Sequence, residues 1–300
     1  MDKAIRRRAV RSGCLLASLF TIVACNPPAV RSNDSPARAL KVQVATENDA
    51  LPGNLYLAAG AGPHPTLIWF HGFPGLPEPM PEAAGTLRAA GLNVLYVHYT
   101  GSWGTTGSFS PEQAVEDAAA TLAQVRAAPP GWHVDPGRII VGGDSFGSWL
   151  ALQAAADPGV SCVATALVLD LGRLGRDLAT DAGMRAAFGG MFQQVDDDPA
   201  LGYTLQGGSE GMLAAIMDRA GRNSLVAHAA ALRERPVLLI GAAEDTLAPI
   251  DAHLTPVAVA LEAAGADVTR LVMPGGHELA DADYAGQVAS WIRTDCLGLE

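Results

Sequence analysis

A five-residue segment carries the residue types of a nucleophilic site. Gly143-Asp144-Ser145-Phe146-Gly147 matches the pattern G-x-S-x-G and stands between an apolar run, 138–143, and a helical segment that begins at residue 148. In such a sharp strand-to-helix turn the serine hydroxyl is exposed, and the glycines are needed because a Cβ would collide with neighbouring backbone. We therefore interpret Ser145 as a nucleophile that attacks a carbonyl carbon.

A serine hydroxyl attacks efficiently only when a base removes its proton and an acid orients that base. Asp245 stands shortly after the apolar run 237–242, and His277 follows the run 267–273. Both positions are at the carboxyl ends of predicted strands, the edge at which open parallel sheets place their active sites. These two residues are the candidates for the acid and the base.

Two other acids stay open at this point. Glu244 is adjacent to Asp245, and Asp170 ends the predicted strand 162–171. For the base, His277 has no strong rival. The histidines interpreted as surface or packing residues are His64, His98, His133, His228 and His253.

The loop after the apolar run 66–70 has the sequence His71-Gly72-Phe73-Pro74-Gly75. Backbone N–H groups here and after the serine can face the negative charge that develops on an attacked carbonyl oxygen. We assign this oxyanion hole to the N–H groups of Phe73 and Phe146. His71 is expected to shape the loop through hydrogen bonds.

The composition is that of a chain with a large core. Of 300 residues, 49% are hydrophobic and 17% are charged, which excludes a disordered chain. The formal net charge of −11 argues against a nucleic-acid partner, because such partners require a basic surface. The sequence has no metal, nucleotide or flavin motif, so no metal site and no cofactor are expected.

Predicted strands and helices alternate along the chain. Two strands, 40–46 and 54–59, are expected to form an opening antiparallel pair. The units that follow predict one α/β domain, 39–300, with a mostly parallel sheet and helices on both faces. The further predicted strands are 66–70, 93–99, 138–143, 162–171, 237–242 and 267–273, and the predicted helices between them are 81–90, one from Pro111, 148–156, 251–264 and 281–293.

One long stretch, about 172–234, interrupts this alternation before the strand that precedes Asp245. A structureless loop of this length is uncommon in a compact domain. The stretch has helical patches at 178–188, 210–220 and 224–233. It is therefore predicted to form a helical cap over one end of the sheet.

Residues 1–24 have the pattern of an export signal. Five basic residues precede an apolar run from Cys14 to Ala24, which at 11 residues is too short for a bilayer that needs about 20. The run ends Ile22-Val23-Ala24-Cys25, which resembles the lipobox of bacterial lipoproteins, whose cysteine is lipidated. An ordinary signal peptide that happens to end at a cysteine is the alternative.

Residues 25–38 are expected to be the lipidated Cys25 and a flexible tether, because they are polar and contain proline. Asn26 stands where an inner-membrane retention signal has aspartate, which favours the outer membrane, facing the periplasm, in a Gram-negative host. Without residues 1–24 the chain has 15 basic and 30 acidic residues and a formal charge of −15. Anionic headgroups repel such a chain, so we expect lipid on Cys25 to hold it in the bacterial cell envelope.

Several motifs together resemble the α/β-hydrolase superfamily. They are HGFPG after a strand, VHYTGSWG, DPGRIIVGGDSFG, LLIGAAEDTLAP and MPGGHE, and the similarity covers about 60–300 apart from the cap. The chain is most similar to bacterial hydrolases related to the prolyl-oligopeptidase catalytic domain and to serine aminopeptidases. It departs from that branch at Thr100, where arginine is usual, and at Ser148, where a second glycine is common.

The resemblance implies a serine hydrolase with a triad of Ser145, Asp245 and His277 and an acyl-enzyme intermediate. Carboxylic esters are the first expected substrates, and small peptides or amides are the alternative. A non-catalytic binding lipoprotein on the same fold is the remaining hypothesis. Such proteins usually lack a triad residue, whereas this chain retains all three.

The resemblance also bears on Cys162 and Cys296. In this fold a residue that opens a strand and one that ends the last helix both lie at the sheet edge opposite the active site. An exported protein resides in an oxidising compartment, where disulfides persist. A bridge between these cysteines is one expectation, and two separate buried thiols are the other.

Overall fold

The computed structural model describes residues 38–47, 49–75 and 81–299. They contain one eight-stranded sheet with the order β1-β2-β4-β3-β5-β6-β7-β8. Arg38, the last residue of the predicted tether 25–38, pairs with Leu57 at the start of β1. The strands are β1 Arg38–Ala45, β2 Ala50–Leu57, β3 His64–Phe70, β4 Asn93–Val97, β5 Val134–Asp144, β6 Val160–Ala166, β7 Pro236–Ala242 and β8 Asp267–Met273.

The sheet is mostly parallel, as the sequence predicts. β1 and β2 form the expected antiparallel pair, and β2 is also antiparallel to β4. From β4 through β3, β5, β6 and β7 to β8, neighbouring strands are parallel. The turns that follow β3, β5, β7 and β8 therefore meet at one edge, where side chains from distant parts of the chain can converge.

Helices cover both faces of the sheet, which confirms the predicted fold class. Helices α1 and α9 pack on one face with Leu87 and Val288 in their core, and α2, α3 and α8 pack on the other with Trp149 and Val257. The helices are α1 Pro81–Ala89, α2 Pro111–Arg126, α3 Phe146–Ala154, α4 Leu171–Thr180, α5 Ala182–Asp197, α6 Gly208–Asp218, α7 Leu225–His228, α8 Leu254–Ala263 and α9 Asp281–Trp291.

The cap, which we define as residues 167–235 between β6 and β7, contains helices α4 to α7. The predicted strand 162–171 is too long, since β6 ends at Ala166. The backbone turns at Leu167, which has a φ of 51°. Asp170 then begins α4 by accepting a hydrogen bond from the N–H of Gly172 at 2.9 Å.

Backbone hydrogen bonds attach the cap to the loop after β4. The N–H of Trp103 donates to the carbonyl of Gly202 at 2.6 Å, and the N–H of Thr204 donates to the carbonyl of Gly101 at 2.8 Å. The N–H of Phe109 donates to Thr204 at 2.7 Å. The cap is therefore part of the wall around the carboxyl edge of the sheet.

Within the described residues, no helix combines the length and the apolar character needed to cross a bilayer. The same part of the chain has no group of three or more histidine, cysteine, aspartate or glutamate side chains that could hold a metal ion. The predicted signal segment 1–24 and the lipidation site Cys25 lie outside the described residues.

A disulfide bond joins Cys162 to Cys296 in the structure. Cys162 is fully buried near the amino end of β6, and Cys296 ends the single π-helical turn Ile292–Cys296 that follows α9. Their Cα atoms are 5.9 Å apart, within the range that a disulfide spans. The bridge ties the end of the chain to the sheet, away from the edge that bears Ser145.

Replacing both cysteines, C162A/C296A, is expected to lower the free energy of unfolding by about 4–5 kcal/mol. The reason is that the bridge closes a loop of 134 residues and so restricts the unfolded chain. Urea denaturation followed by circular dichroism measures the change. Peptide mapping without reductant is the control and should find the two cysteine peptides linked, whereas alkylation of both thiols in denaturant alone would contradict the bridge.

Candidate active site

The candidate nucleophile lies on a strained turn between β5 and α3. Ser145 has a φ of 51° and a ψ of −118°, a conformation that residues with a Cβ rarely adopt. Its N–H donates to the carbonyl of Ala166 at 3.1 Å, and its side chain makes no capping bond to α3. The turn therefore leaves the hydroxyl available to groups at the edge of the sheet.

Both glycines of the motif are required by the close approach of this turn to β3. A Cβ on Gly147 would overlap the carbonyl oxygen of Phe70, the last residue of β3. A Cβ on Gly143 would overlap the same oxygen and the backbone of Gly147. The backbone of α3 can start this close to the sheet only because neither position has a side chain.

The structure brings the three predicted side chains together. His277 Nε2 lies 2.8 Å from Ser145 Oγ, and His277 Nδ1 lies 2.7 Å from Asp245 Oδ2. Because a carboxylate only accepts hydrogen bonds, Nδ1 carries the hydrogen and Nε2 can accept the serine proton. The arrangement is that of a nucleophile, a base and an acid that orients the base.

Asp245 is buried and held by three donors. Its Oδ1 accepts from the N–H groups of Leu247 at 2.9 Å and Ala248 at 2.8 Å, which leaves Oδ2 for His277. Burial alone raises the pKa of this carboxyl, but the hydrogen bonds outweigh burial and hold the pKa below its ordinary value. Asp245 is therefore a carboxylate at neutral pH.

The two alternative acids are placed elsewhere. Glu244 is exposed to solvent. The carboxylate of Asp170 is buried at the start of the cap, where Oδ1 accepts from the N–H groups of Gly172 at 2.9 Å and Leu225 at 3.0 Å. Of the three candidates, the geometry brings Asp245 to the imidazole.

The loop after β3 places Phe73 beside the nucleophile. The Nδ1–H of His71 donates to the carbonyl of Gly72 at 2.7 Å, and the hydroxyl of Tyr99 donates to the carbonyl of His71 at 2.8 Å. Burial lowers the pKa of His71 to about 3, so its ring is neutral at physiological pH. His71 therefore helps to shape the loop, and Phe73 lines a cavity that Ser145 also borders.

Ser148 has a role that sequence reasoning missed. Its Oγ donates to the carbonyl of Ser145 at 2.6 Å and accepts from the N–H of Leu169 at 3.0 Å. These bonds join the nucleophile turn to the first residues of the cap. In the sequence, the only signal was that serine replaces the glycine common at this position in similar hydrolases.

An apolar cavity of about 80 Å³, which we call the cap cavity, lies beneath the cap and borders Ser145 and His277. The two proposed oxyanion residues, Phe73 and Phe146, also line it. Its apolar wall fits a hydrocarbon group of a ligand. Residues that the cap contributes include Leu171, Leu174, Phe188, Met191, Phe192 and Met212.

A wider cavity of about 380 Å³, which we call the loop cavity, also borders Ser145 and His277. The residues that line it include Asp144, Asp281 and several residues of the loop after β3. Ser145 and His277 thus border two spaces of different size and polarity.

Comparison with known proteins finds similarity in structure. No protein-family model and no curated protein matches the chain. An acylaminoacyl peptidase from Pyrococcus horikoshii matches with a TM-score of 0.61 and 14% identity over 86% of this chain and 41% of that chain. A puromycin-hydrolyzing peptidase from Mycobacterium tuberculosis matches with a TM-score of 0.62 and 18% identity over 88% of this chain and 40% of that chain.

An esterase from Pyrobaculum calidifontis matches with a TM-score of 0.61 and 19% identity over 88% of each chain. The present chain thus spans about two fifths of the length of the two peptidases. Together with the sheet order and the helices on both faces, these matches show that the chain has the α/β-hydrolase fold.

Proposed function

We propose that the protein is a serine hydrolase that works through an acyl-enzyme. Ser145 Oγ attacks the substrate's carbonyl carbon as its proton passes to His277 Nε2, while Asp245 stabilises the charged imidazole. The N–H groups of Phe73 and Phe146 face the oxyanion. His277 then donates the proton to the leaving group, and water hydrolyses the acyl-enzyme by the same route.

The continuous hydrogen-bond chain from serine to carboxylate carries this proposal. Its two links, 2.8 Å from Ser145 to His277 and 2.7 Å from His277 to Asp245, are within the reach of about 2.6–3.2 Å that general-base catalysis needs. The strained φ of Ser145 adds support, because backbone strain concentrates at functional sites.

Carboxylic esters with a short apolar acyl group are the substrates that we propose. The cap cavity is apolar and borders the nucleophile, so it can remove an acyl chain from water. Its volume of about 80 Å³ leaves room for a short chain. One of the structural matches described above is named an esterase, which agrees with this choice.

Hydrolysis of small peptides or amides is the second candidate. The loop cavity, at about 380 Å³, is large enough for a leaving group bulkier than a simple alcohol. Two of the structural matches are named peptidases, although this chain spans only about two fifths of their length. A substrate panel that contains both bond types decides between the candidates.

We further propose that the protein is lipid-anchored through Cys25 in the bacterial cell envelope. The proposal rests on the sequence of residues 1–25, which lie outside the described residues. The formal charge of −15 after residue 24 supports lipid as the membrane contact, because anionic headgroups do not attract an acidic domain.

Ser145→Ala is expected to abolish labelling by a fluorophosphonate probe and to lower ester hydrolysis at least about 10⁴-fold, since Ser145 Oγ is the attacking atom. In-gel fluorescence and a p-nitrophenyl butyrate assay measure both effects. Ser290→Ala, which changes an exposed serine on α9, is the matched control and should label like wild type. Absence of labelling in the wild type would contradict the hydrolase and favour a non-catalytic binding lipoprotein.

The acyl-chain preference is expected to follow the cap cavity. From acetyl to butyryl p-nitrophenyl esters, kcat/KM should rise about fourfold per methylene, because each buried CH₂ contributes about 0.8 kcal/mol. Octanoyl esters should react more slowly because they exceed the cavity. Turnover of aminoacyl-p-nitroanilides but not of esters would instead favour the peptidase candidate.

Met191→Ala should shift this preference to longer chains, because Met191 lines the cap cavity and is only half-buried. Met184→Ala is the matched control, since Met184 is also half-buried on α5 but does not line the cavity. An equal shift in both variants, or none in Met191→Ala, would show that the cap cavity does not bind the acyl chain.

Cys25→Ser is expected to move the protein from the detergent phase to the aqueous phase in Triton X-114 partitioning, because the lipid-bearing thiol is lost. Metabolic labelling with palmitate should likewise be lost. Cys14→Ser is the control and should partition like wild type, since residue 14 lies within the cleaved signal. Retention of label in Cys25→Ser would argue for another anchor.

A further inference from the structure

The carboxylate of Asp144 connects the nucleophile turn to the loop after β3. Asp144 is the last residue of β5 and directly precedes Ser145. Its Oδ1 accepts from Trp69 Nε1–H at 3.0 Å, and its Oδ2 accepts from the N–H of Gly72 at 3.2 Å. Gly72 directly precedes Phe73, whose N–H belongs to the proposed oxyanion hole. One side chain therefore spans the distance between the two parts of the site.

These contacts require a carboxylate. Both donors are N–H groups, and each one reaches a different oxygen of Asp144. An asparagine of the same size has one acceptor oxygen and one NH₂ group, which would face an N–H donor without accepting from it. The residue type is therefore matched to the two donors, Trp69 and Gly72.

The loop also approaches Asp144 too closely for any side chain at position 72. A Cβ on Gly72 would stand 2.7 Å from Asp144 Oδ2 and 3.4 Å from Ser145 Cβ. A larger residue would displace the loop from the turn. The position of the loop relative to Ser145 therefore depends on the direct contact between Gly72 and Asp144.

The surroundings of Asp144 disfavour its charged form. Burial and the neighbouring carboxyl of Asp281 raise the pKa of Asp144 to about 7, against the lowering effects of Trp69, Gly72 and His277. Such perturbed groups are common at functional sites. The titratable groups that interact with Asp144 are Asp281 and Tyr284 on α9, His277 after β8 and Tyr99 after β4.

We propose that Asp144 is a positioning residue that, through Gly72, holds the N–H of Phe73 at the oxyanion position relative to Ser145. The inference rests on the proposed serine hydrolase. In this role Asp144 acts on the loop and not on the substrate. Protonation of Asp144 turns one of its acceptor oxygens into a donor, so Asp144 then loses one of its two bonds, either to Trp69 on β3 or to Gly72 of the loop.

Asp144→Asn in the full-length protein tests this proposal. With p-nitrophenyl butyrate, kcat is expected to fall about 10- to 100-fold while KM stays within about threefold, because the lost interaction acts in the transition state. An alkylboronic acid, whose adduct places an oxygen in the oxyanion position, should bind more weakly by a similar factor. Wild-type kcat and boronate affinity in this variant would overturn the proposal.

The pH profile provides a readout that a loss of stability would not change. In the wild type, protonation of Asp144 and of His277 both lower kcat/KM on the acid side. Since protonated Asp144 lowers activity only about 10- to 100-fold, the steepest slope of log kcat/KM against pH on the acid limb should exceed one in the wild type. In Asp144→Asn only His277 acts, so the steepest slope should not exceed about one. An unchanged slope would contradict a role for Asp144.

Asp281→Asn provides the test if Asp144→Asn does not fold. Removing the neighbouring charge should lower the pKa of Asp144 and move the acid limb of the profile to lower pH, and an unmoved limb would overturn the proposal.

The failure of the hydrolase proposal can be distinguished from the failure of the proposed role of Asp144. A wild type without probe labelling rejects the hydrolase, whereas an active wild type with unchanged variants rejects only the role of Asp144.

Discussion

The contact between the nucleophile turn and the end of β3 is the constraint on which the site depends. Gly143 and Gly147 meet the carbonyl of Phe70 so closely that neither position can carry a side chain. The chain between them must therefore turn sharply, and Ser145 takes a φ of 51° that it would not adopt in an unrestrained peptide. This strain is maintained by the packing of α3 against the sheet, where Trp149 and Leu150 are buried in the core. The turn therefore fixes where the Cβ of Ser145 stands, and only rotation about the Cα–Cβ bond is left to place the hydroxyl.

The parallel sheet then supplies the remaining groups. Because β5, β7 and β8 end at one edge, the residues that follow them, Ser145, Asp245 and His277, converge although they are far apart in sequence. The buried carboxylate of Asp245 is held ionised by two backbone donors and the imidazole. The three hydrogen-bonded side chains are thereby fixed before a substrate arrives. Groups fixed in this way can stabilise charge in a transition state without having to reorganise.

Much of this arrangement could be predicted from the sequence, because the determinants are local. Apolar runs locate the strands, and the predicted start of a helix at Pro111 is confirmed by α2. The end of β6 was predicted wrongly, since Leu167 to Leu169 are apolar like a strand but are the buried first residues of the cap. The contact of Ser148 with Leu169 and that of Asp144 with Gly72 could not be predicted, because both depend on distances between segments that no sequence pattern records. The cap cavity likewise arises from residues of several helices and the loop after β3.

If Ser145 is the nucleophile of a serine hydrolase, it must form a covalent intermediate. The most direct measurement is mass spectrometry of protein mixed with p-nitrophenyl butyrate and quenched in acid within the first turnover. With Ser145 as the nucleophile, one butyryl group is expected on the peptide that contains Ser145. A protein that hydrolyses the ester without any such adduct, or that carries the adduct on another residue, would contradict this role of Ser145.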